Sequence, residues 1–208
     1  MPESDPTILV IDDDPVVRDA LGRLLGSIGL HARLFASVPD LLKSERPNGP
    51  TCLVLDVRLP ERSGLDFQRE LAAVNVQIPI IFITAHGDIP MSVQAMKNGA
   101  IEFLTKPCDD QDLIDAVHLG LTRDRARRES EQALRMLRAR FESLSPRERE
   151  VMIQVAQGRL NKQIAHDIGI SEPTMYVHRS NLMRKMNARS LPELGRIADK
   201  LNLLSEKT

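Results

Sequence analysis

Five polar side chains in the first half of the chain have the types and the spacing of a phosphoryl-transfer site. Each of them follows a short apolar run, and the set is Asp12, Asp13, Asp56, Thr84 and Lys106. Clustered carboxylates repel each other unless a cation lies among them, and oxygen-only ligation suits Mg²⁺. We therefore predict a divalent metal site in which Asp13 and Asp56 are direct ligands. Asp12 is expected to act partly through bound water, and the backbone carbonyl oxygen of Arg58 can complete the set.

The same residues could carry out phosphoryl transfer. With its charge neutralised by the metal, the Asp56 carboxylate can attack a phosphorus atom as a nucleophile. The Thr84 hydroxyl can then donate to one phosphoryl oxygen, while the Lys106 ammonium pairs with another. A single Asp after an apolar run is usually a turn or capping residue, and a lone Lys before Pro is usually at the surface. Their joint occurrence after successive runs favours the functional interpretation.

The elements before these side chains predict that they share one location. The apolar runs are Thr7–Ile11, His31–Phe35, Thr51–Leu55, Ile78–Ile83 and Ala100–Leu104. Helices are expected between them from Pro15 to Gly29, from Val38, over about 64–74, over about 88–98 with Asp88 as its cap, and from near Asp109. This alternation predicts an α/β fold, a doubly wound five-stranded parallel sheet with helices on both faces. Ligand sites in such sheets lie beyond the carboxyl ends of the strands, so one pocket is expected there.

A long helical pattern follows, from Leu113 to about Ser143, and it is dense in Arg and Glu. We interpret it as the last helix of the first domain continuing into a linker. Apolar residues at helical spacing form a short seam on it, namely Leu134, Leu137, Phe141 and Leu144. The seam could form a coiled coil or dock onto the second domain, and its short length favours docking.

The rest of the chain has helical patterns and no strand signal. Helices are expected at about 146–157, 161–168, 172–186 and 191–202, and Ser145 with Glu148 forms a capping box at the first of them. The second and third are joined by Ile168-Gly169-Ile170-Ser171. A short Gly-containing turn between two helices is the signature of a helix-turn-helix, so an all-α helix-turn-helix domain is predicted here.

The helix after this turn has two different faces. Its inward stripe is expected to be Met175, Leu182 and Met186, with His178 or Arg179 at the edge. The other face carries Tyr176, Val177, Ser180 and Arg184. Cations, hydroxyls and a β-branched methyl on one helix suit the major groove of DNA. Taken alone, a cationic helical face is more often simply solvated.

Composition agrees with two small globular domains in 208 residues. Residues 1–118 carry 18 acids and 10 Lys or Arg, a balance of −8, whereas residues 119–208 carry 11 acids and 18 Lys or Arg, a balance of +7. The basic half is therefore a candidate for binding a polyanion. Cys52 and Cys108 argue against a disulfide framework and fit a reducing cytoplasm. No apolar run approaches a membrane span, and no secretion signal is recognisable.

The motifs of the first half resemble the receiver domain of two-component response regulators. They are Val10-Ile-Asp-Asp-Asp14, Val54-Leu-Asp-Val-Arg-Leu-Pro60 with Ser63-Gly64, Ile83-Thr84-Ala85 and Thr105-Lys106-Pro107. The resemblance implies a flavodoxin-like fold, phosphorylation of Asp56 by a sensor histidine kinase, and a cis peptide between Lys106 and Pro107. It also implies switch roles for Thr84 and for Phe103. The family often has Tyr at this last position, and Phe lacks the hydroxyl, so a switch there would rest on packing; a purely structural role for Phe103 stays open.

The segment from Leu144 to Lys185 closely resembles the LuxR-type helix-turn-helix. It contains Leu144-Ser-Pro-Arg-Glu-Arg-Glu150, Asn161-Lys-Gln-Ile-Ala165 and His178-Arg-Ser-Asn-Leu-Met-Arg-Lys185. Together with the receiver it is similar to the FixJ/NarL class, and the long linker favours the FixJ branch. The resemblance implies base contacts from Tyr176, Val177 and Ser180, with Lys162, Thr174, Arg179 and Arg184 nearer the phosphates. Family members usually carry Lys in place of Tyr176, so we do not expect the base preference of relatives to transfer to this chain.

The sequence thus predicts a cytoplasmic response regulator that controls, and by family habit activates, transcription. We expect a receiver domain over 1–122, a helical linker over 123–143 and a DNA-binding domain over 144–208. Expected partners are a sensor histidine kinase, double-stranded promoter DNA, RNA polymerase and a second copy of the chain, which joins on phosphorylation through the receiver face around residues 88–122. Two alternatives stay open: an output domain that binds protein, and a Mg²⁺ phosphohydrolase that uses Asp56 with Glu61 or His86 as acid or base.

Overall fold

The structure, a computed structural model, describes residues 5–60, 62–85 and 87–203. The chain forms two compact units, Met1–Arg128 and Glu129–Thr208. The strands are β1 (Thr7–Ile11), β2 (His31–Phe35), β3 (Thr51–Asp56), β4 (Ile80–Thr84) and β5 (Glu102–Thr105). The helices are α1 (Pro15–Ser27), α2 (Val38–Lys43), α3 (Gly64–Ala73), α4 (Ile89–Lys97), α5 (Asp110–Glu142), α6 (Pro146–Ala156), α7 (Asn161–Asp167), α8 (Glu172–Met186) and α9 (Leu191–Lys200).

The first unit is built on a parallel sheet with the order β2-β1-β3-β4-β5. Every residue of β3 and β4 is buried, as expected for strands covered by helices on both faces. One face packs residues of α1 and α5, such as Leu25 and Leu113, and the other packs residues of α3 and α4, such as Phe67 and Ala95. The predicted doubly wound sheet is confirmed.

The helices of this unit begin at polar caps. The Asp14 side chain accepts a hydrogen bond from the Val16 N–H at 2.8 Å at the start of α1, and Asp88 accepts one from the Met91 N–H at 2.8 Å at the start of α4. Such caps satisfy N–H groups that have no partner within the helix. Gly29 follows α1 with a φ of +77°, a left-handed conformation that suits glycine.

Two strands begin later than the apolar pattern indicates, for a physical reason in each case. β4 starts at Ile80 rather than Ile78, because Pro79 has no N–H for the ladder and contributes only its carbonyl, which accepts from the Leu53 N–H at 2.9 Å. β5 starts at Glu102 rather than Ala100, because the Ala100 N–H bonds to the Ala95 carbonyl at the end of α4.

Helix α5 is continuous, and a buried carboxylate anchors its middle to the sheet. Asp124 is only 1% exposed and accepts hydrogen bonds from the Thr51 N–H at 2.9 Å, from Arg127 Nη2 at 2.6 Å and from Arg128 Nε at 2.6 Å. A second donor of Arg128 reaches the Asn48 carbonyl at 3.0 Å. These bonds explain why the first compact unit extends along α5 beyond residue 122 as far as Arg128.

The second unit is all-helical and packs around its own core. Buried residues of α6, α7, α8 and α9 form this core, including Val151, Ile164, Leu182 and Leu194. Three residues of the predicted apolar seam contact this core. Leu144 is buried within it, and Leu137 and Phe141 of α5 pack against it. Docking of these three residues onto the helical domain, the favoured interpretation of the seam, is what the structure contains.

Candidate functional site

The carboxyl ends of β1 and β3 bring the acidic residues together. In the sheet Ile11 pairs with Leu55, so Asp12 after β1 comes to lie beside Asp56 at the end of β3. Carboxylate oxygens of Asp12, Asp13 and Asp56 lie within 4.8 Å of one another. Asp12 is fully buried and Asp56 is 6% exposed, whereas Asp13 is exposed. The pocket is therefore closed at its base and open to solvent at Asp13.

Lys106 is the cation of this pocket. Its Nζ donates to Asp12 Oδ2 at 2.5 Å and to Asp56 Oδ2 at 2.6 Å. Burial by itself would lower the pKa of the Lys106 ammonium, but its hydrogen bonds to the two carboxylates and their charges raise that pKa overall. Burial also raises the pKa of Asp12, against the opposing effects of Lys106 and of the Asp14 N–H. The pocket thus holds crowded carboxylates around a positive charge.

Backbone and arginine donors hold the acidic loops in place. The Arg58 N–H donates to Asp56 Oδ1 at 2.9 Å, and the Asp14 N–H donates to Asp12 Oδ1 at 3.0 Å. In addition, Arg18 Nη1 donates to the carbonyl oxygens of Asp12 at 2.7 Å and of Asp13 at 2.9 Å. Sequence reasoning missed Arg18, although its position one turn into the helix that follows the acidic triplet was a usable signal.

Thr84 and Phe103 belong to β4 and β5, the strands that follow β3 in the sheet. Thr84 ends β4 and is fully buried, and its carbonyl accepts from the Lys106 N–H at 2.8 Å. Phe103 is half-buried and packs near Phe82, with ring centroids 6.2 Å apart. A Cβ added to Gly87 would lie 2.7 Å from the Phe103 ring and 3.1 Å from the Thr84 methyl, so Gly87 leaves room for both side chains. The peptide between Lys106 and Pro107 is cis, as the resemblance implied.

The residues of the pocket fit a divalent cation. Three carboxylates offer hard oxygen ligands within one small volume, and one of them faces solvent. In the structure the Lys106 ammonium provides the positive charge between the two buried carboxylates. The acid or base candidates of the phosphohydrolase alternative, Glu61 and His86, lie outside the described residues.

In the second unit, α8 has a buried side and an exposed side. Met175, Leu182 and Met186 are fully buried, and His178 and Arg179 are half-buried at the edge, in agreement with the expected stripe. Tyr176 and Val177 are 58% and 59% exposed, and Ser180, Arg184, Thr174 and Lys162 are exposed as well. The candidate DNA-contacting residues of α8 therefore lie at the surface, with Arg179 less accessible than the others.

The turn before α8 has the geometry of a helix-turn-helix. Gly169 has a φ of +69° after α7, and the Ser171 hydroxyl caps α8 by accepting from the Thr174 N–H at 3.3 Å. Arg179 Nη1 donates to Asn161 Oδ1, at the start of α7, at 2.9 Å. This bond ties one cation of α8 to the preceding helix, which the sequence did not indicate.

Two family descriptions match the chain. Residues 8–118 match the response regulator receiver domain, and residues 142–198 match the bacterial regulatory proteins of the luxR family. The first match contains the acidic pocket, and the second contains the helix-turn-helix. Among the described residues, no helix is both long and apolar enough to cross a membrane.

Relatives match over nearly the whole chain. The chain is 49% identical to nodulation protein W of Bradyrhizobium diazoefficiens over 97% of its own length and 88% of the relative's. It is 46% identical to the response regulator protein TmoT of Ectopseudomonas mendocina, covering 97% of this chain and 91% of the relative. It is 45% identical to the transcriptional regulatory protein FixJ of Azorhizobium caulinodans, covering 95% and 93% of the two chains.

A solved structure matches nearly the whole chain. That of the response regulator StyR has a TM-score of 0.85 and 46% sequence identity, and the match covers 95% of this chain and 100% of that chain.

Proposed function

This chain belongs to the response regulators that join a receiver domain to a LuxR-type DNA-binding domain, and from that premise we propose that Asp56 is its phosphoacceptor. The observation that carries the proposal is the shared Lys106 ammonium, which bonds to Asp12 and Asp56 at the carboxyl edge of the sheet. The family implies a sensor histidine kinase as the source of the phosphoryl group, and its members regulate transcription. Its two domains fit a regulator rather than a classical enzyme. We propose that, beyond accepting the phosphoryl group, the chain at most hydrolyses its own phosphate.

Phosphoryl transfer to Asp56 needs a nucleophile, charge compensation and hydrogen-bond donors. An Asp56 carboxylate oxygen forms the new bond to phosphorus as the bond from phosphorus to the kinase histidine nitrogen breaks, and the electron pair of that bond stays on the imidazole. The Arg58 N–H orients the carboxylate through Oδ1. Lys106 offsets the negative charge of the transferred group, and the Thr84 hydroxyl donates to one of its oxygens.

We propose Mg²⁺ or another divalent cation as the cofactor of this pocket. Asp12, Asp13, Asp56 and the backbone carbonyl oxygen of Arg58 would hold it, and the close approach of the three carboxylates supports this set. A bound divalent ion supplies positive charge that offsets both carboxylate repulsion and the charge of the phosphoryl group. Arg18 keeps the carbonyl oxygens of Asp12 and Asp13 in position through hydrogen bonds from its Nη1.

We propose that α8 is the recognition helix and enters the major groove of promoter DNA. Its exposed Tyr176, Val177 and Ser180 would reach base edges, because these side chains lie on one accessible face. Lys162, Thr174, Arg179 and Arg184 would contact phosphates and set the register of the helix on the duplex. With the domain boundaries proposed from the sequence, phosphorylation belongs to the receiver domain (1–122) and DNA binding to the C-terminal domain (144–208), and the linker (123–143) lies between them.

Dimerisation on phosphorylation is proposed through the receiver face around residues 88–122. Apolar side chains are exposed there, with Ile89 at 79%, Val93 at 44% and Met96 at 44% on α4 and Leu119 at 44% on α5. Apolar side chains grouped at the surface favour association. A two-fold dimer would offer two recognition helices to two half-sites, and RNA polymerase is the further partner that activation requires. Action on chromosomal DNA would make the protein cytoplasmic.

The decisive experiment compares wild type, Asp56→Asn and the control Asp66→Asn, which changes an α3 carboxylate whose side chain is 49% exposed. Each protein is incubated with Mg²⁺ and a small-molecule phosphodonor, and covalent phosphate and binding to promoter DNA are measured. We expect phosphate on wild type and on the control only, together with tighter DNA binding. Equal DNA binding by phosphorylated wild type and Asp56→Asn would show that the coupling is wrong.

The protein-binding alternative for the output domain predicts a different salt response. Contacts to phosphates release counterions, so affinity for duplex DNA should fall steeply as salt concentration rises. A weak, salt-independent affinity for DNA would favour a protein partner instead. Sustained turnover of a phosphate ester would favour the phosphohydrolase alternative.

A further inference from the structure

A buried carboxylate connects the start of α6 to the end of α8. Glu148 is 4% exposed, and its Oε2 accepts a hydrogen bond from the Ser145 N–H at 2.7 Å and from Lys185 Nζ at 2.6 Å. Lys185 belongs to the last turn of α8. The capping box that the sequence indicates is therefore also an attachment point for the helix that carries the DNA-facing residues.

The neighbours of Glu148 make the first turn of α6 a junction. Arg147 Nη2 donates to the Ile168 carbonyl, in the turn that precedes α8, at 2.8 Å. Arg149 Nη2 donates to the Glu142 carbonyl, at the end of α5, at 2.7 Å. Three consecutive side chains thus fix the turn, the recognition helix and the end of the long helix to one place.

Directional bonds constrain α8 in a way that its apolar stripe does not. Burial of Met175, Leu182 and Met186 holds the helix against the core, but hydrophobic contact is non-directional and permits small rotations and shifts. Hydrogen bonds depend strongly on angle. Lys185 to Glu148 fixes the C-terminal end of α8, and Arg179 to Asn161 fixes its middle.

The Lys185–Glu148 pair is ionic at neutral pH. Burial alone would raise the pKa of the Glu148 carboxyl, but the hydrogen bonds from Lys185 and Ser145 lower it below its usual value. Glu148 is buried and Lys185 is half-buried, so desolvation offsets much of their attraction, and such a pair adds little stability compared with well-packed apolar side chains of similar size. The pair is therefore better suited to orienting α8 than to stabilising the domain.

We propose that Glu148 is a positioning residue for DNA recognition, acting through Lys185 to set the angle at which α8 meets the groove. This inference rests on the proposed role of α8 as the recognition helix. It assigns the half-buried Lys185 ammonium to Glu148 rather than to a DNA phosphate. A displaced α8 keeps its cations and still binds DNA of any sequence, whereas base-edge contacts need the correct angle.

The test measures the ratio of two affinities with the phosphorylated full-length chain. The probes are a duplex selected from a random library with the wild-type protein and the same duplex with its sequence scrambled. In Glu148→Met/Lys185→Met, which removes both charges and keeps similar volumes, we expect the ratio to fall by about tenfold or more, the cost of a misplaced base contact. Affinity for the scrambled duplex should change by about twofold at most, with the same salt dependence.

Two comparison variants separate positioning from folding. Lys185→Arg keeps the charge and should hold the ratio within about threefold of wild type. Asp199→Asn, which changes an exposed carboxylate of α9, should leave the ratio unchanged. A merely structural pair would lower both affinities together through the folded fraction, so an unchanged ratio in the double variant overturns the proposal. If the double variant is unfolded at the assay temperature, Glu148→Gln and Lys185→Gln are judged by the same criterion.

A further variant distinguishes failure of this inference from failure of the proposed function. Tyr176→Ala/Val177→Ala/Ser180→Ala removes the exposed side chains of α8. If this variant keeps the wild-type ratio, α8 does not read bases and both proposals fail. If it lowers the ratio while the Glu148 and Lys185 variants do not, only the positioning role is wrong.

Discussion

At the scale of single residues, the electrostatics of the acidic pocket depend on Lys106. Its ammonium lies between Asp12 and Asp56, and it is the positive side chain that these two buried carboxylates share in the described structure. A cation at this place reduces carboxylate repulsion in the resting state and is also available to a phosphoryl oxygen. The same side chain therefore has opposite effects on metal binding and on phosphoryl transfer.

Replacement of Lys106 by Met should separate these two effects. Without the ammonium, the negative potential at the three carboxylates grows, so Mg²⁺ should bind more tightly. Phosphorylation by a small-molecule donor should nevertheless slow by about tenfold or more, because the transferred group loses its cationic partner. Titration calorimetry with Mg²⁺ and the rate of covalent phosphate incorporation measure the two quantities.

Lys43→Met, at the exposed end of α2, is the matched control and should change neither quantity. Weaker Mg²⁺ binding in Lys106→Met would contradict the assigned role of the ammonium.

At the scale of the elements, glycines show how closely helices approach the functional strand. A Cβ on Gly64, the first residue of α3, would lie 2.4 Å from the Asp56 carbonyl oxygen. Gly64 also donates its N–H to the Val57 carbonyl at 2.8 Å. The start of α3 is thus packed directly against the backbone of the proposed phosphoacceptor.

Two Gly→Ala substitutions should change the free energy of unfolding in opposite directions. Gly64→Ala should destabilise the first unit by roughly 1–3 kcal/mol, since the clash is with backbone that cannot move without displacing Asp56. Gly26→Ala, within α1, meets nothing within 4 Å and should stabilise by up to about 1 kcal/mol through helix propensity. Urea unfolding followed by circular dichroism gives both values. A neutral Gly64→Ala would mean that α3 does not approach β3 this closely.

The ion pair between α6 and α8 should give the second unit a specific pH dependence. Because the pKa of Glu148 is lower in the folded chain than in the unfolded chain, its contribution to stability is present above the unfolded value. It is lost as the pH falls through the folded pKa. The stability difference between wild type and Glu148→Gln should therefore shrink as the pH falls from about 7 to about 3.

Hydrogen exchange of α8 amides measures this stability difference in the second unit alone, without a contribution from titration of the first unit. The control Asp199→Asn changes an exposed carboxylate of α9 and should leave the exchange of α8 close to that of wild type at each pH. A constant difference between wild type and Glu148→Gln across the pH range would argue against an ionised Glu148.

At the scale of the whole molecule, one helix belongs to both compact units. The boundary falls between Arg128 and Glu129, within α5, and the buried Asp124 lies just before it. Asp124 connects α5 to the beginning of β3, and β3 ends at Asp56. The base of the linker is therefore attached to the strand that carries the proposed phosphoacceptor.

Removal of the Asp124 carboxylate should destabilise the first unit. Asp124→Ala leaves the Thr51 N–H and two guanidinium groups without their buried acceptor, so we expect a loss of about 3–5 kcal/mol in the first unit. Exchange protection should also fall in α5 around residues 123–128. Asp115→Ala, an exposed carboxylate of the same helix, is the control and should cost less than about 1 kcal/mol. Similar losses in both variants would show that the anchor is unimportant.

Assembly of two chains should depend on the exposed face of α4. Ile89→Glu places a charge on a side chain that is 79% exposed, and it should keep the phosphorylated protein monomeric while leaving phosphorylation intact. Val74→Glu, on a residue that is 69% exposed after α3, is the matched control and should dimerise like wild type. Sedimentation with and without phosphate measures both. A dimer of phosphorylated Ile89→Glu would exclude this face as the interface.

The sequence by itself determined the alternation of strands and helices along the chain, the parallel sheet that they form and the convergence of the acidic residues. This was possible because buried parallel strands are continuous apolar runs, and because ligand sites lie beyond their carboxyl ends. Helix starts were also readable, since Asp14, Asp88 and Ser145 cap through local hydrogen bonds. Each of these features depends on residues close together in the chain or on a repeating pattern.

Only the tertiary structure decided which polar side chains bond to residues far away in the sequence. Glu148 is equally compatible with a simple capping box, and only folding brings Lys185 to it. Likewise Asp124 lies in a segment dense in exposed charges, yet it is buried against Thr51 because the sheet and α5 meet there. Pairing of side chains far apart in sequence depends on the relative placement of elements, and neither residue type nor periodicity encodes that placement locally.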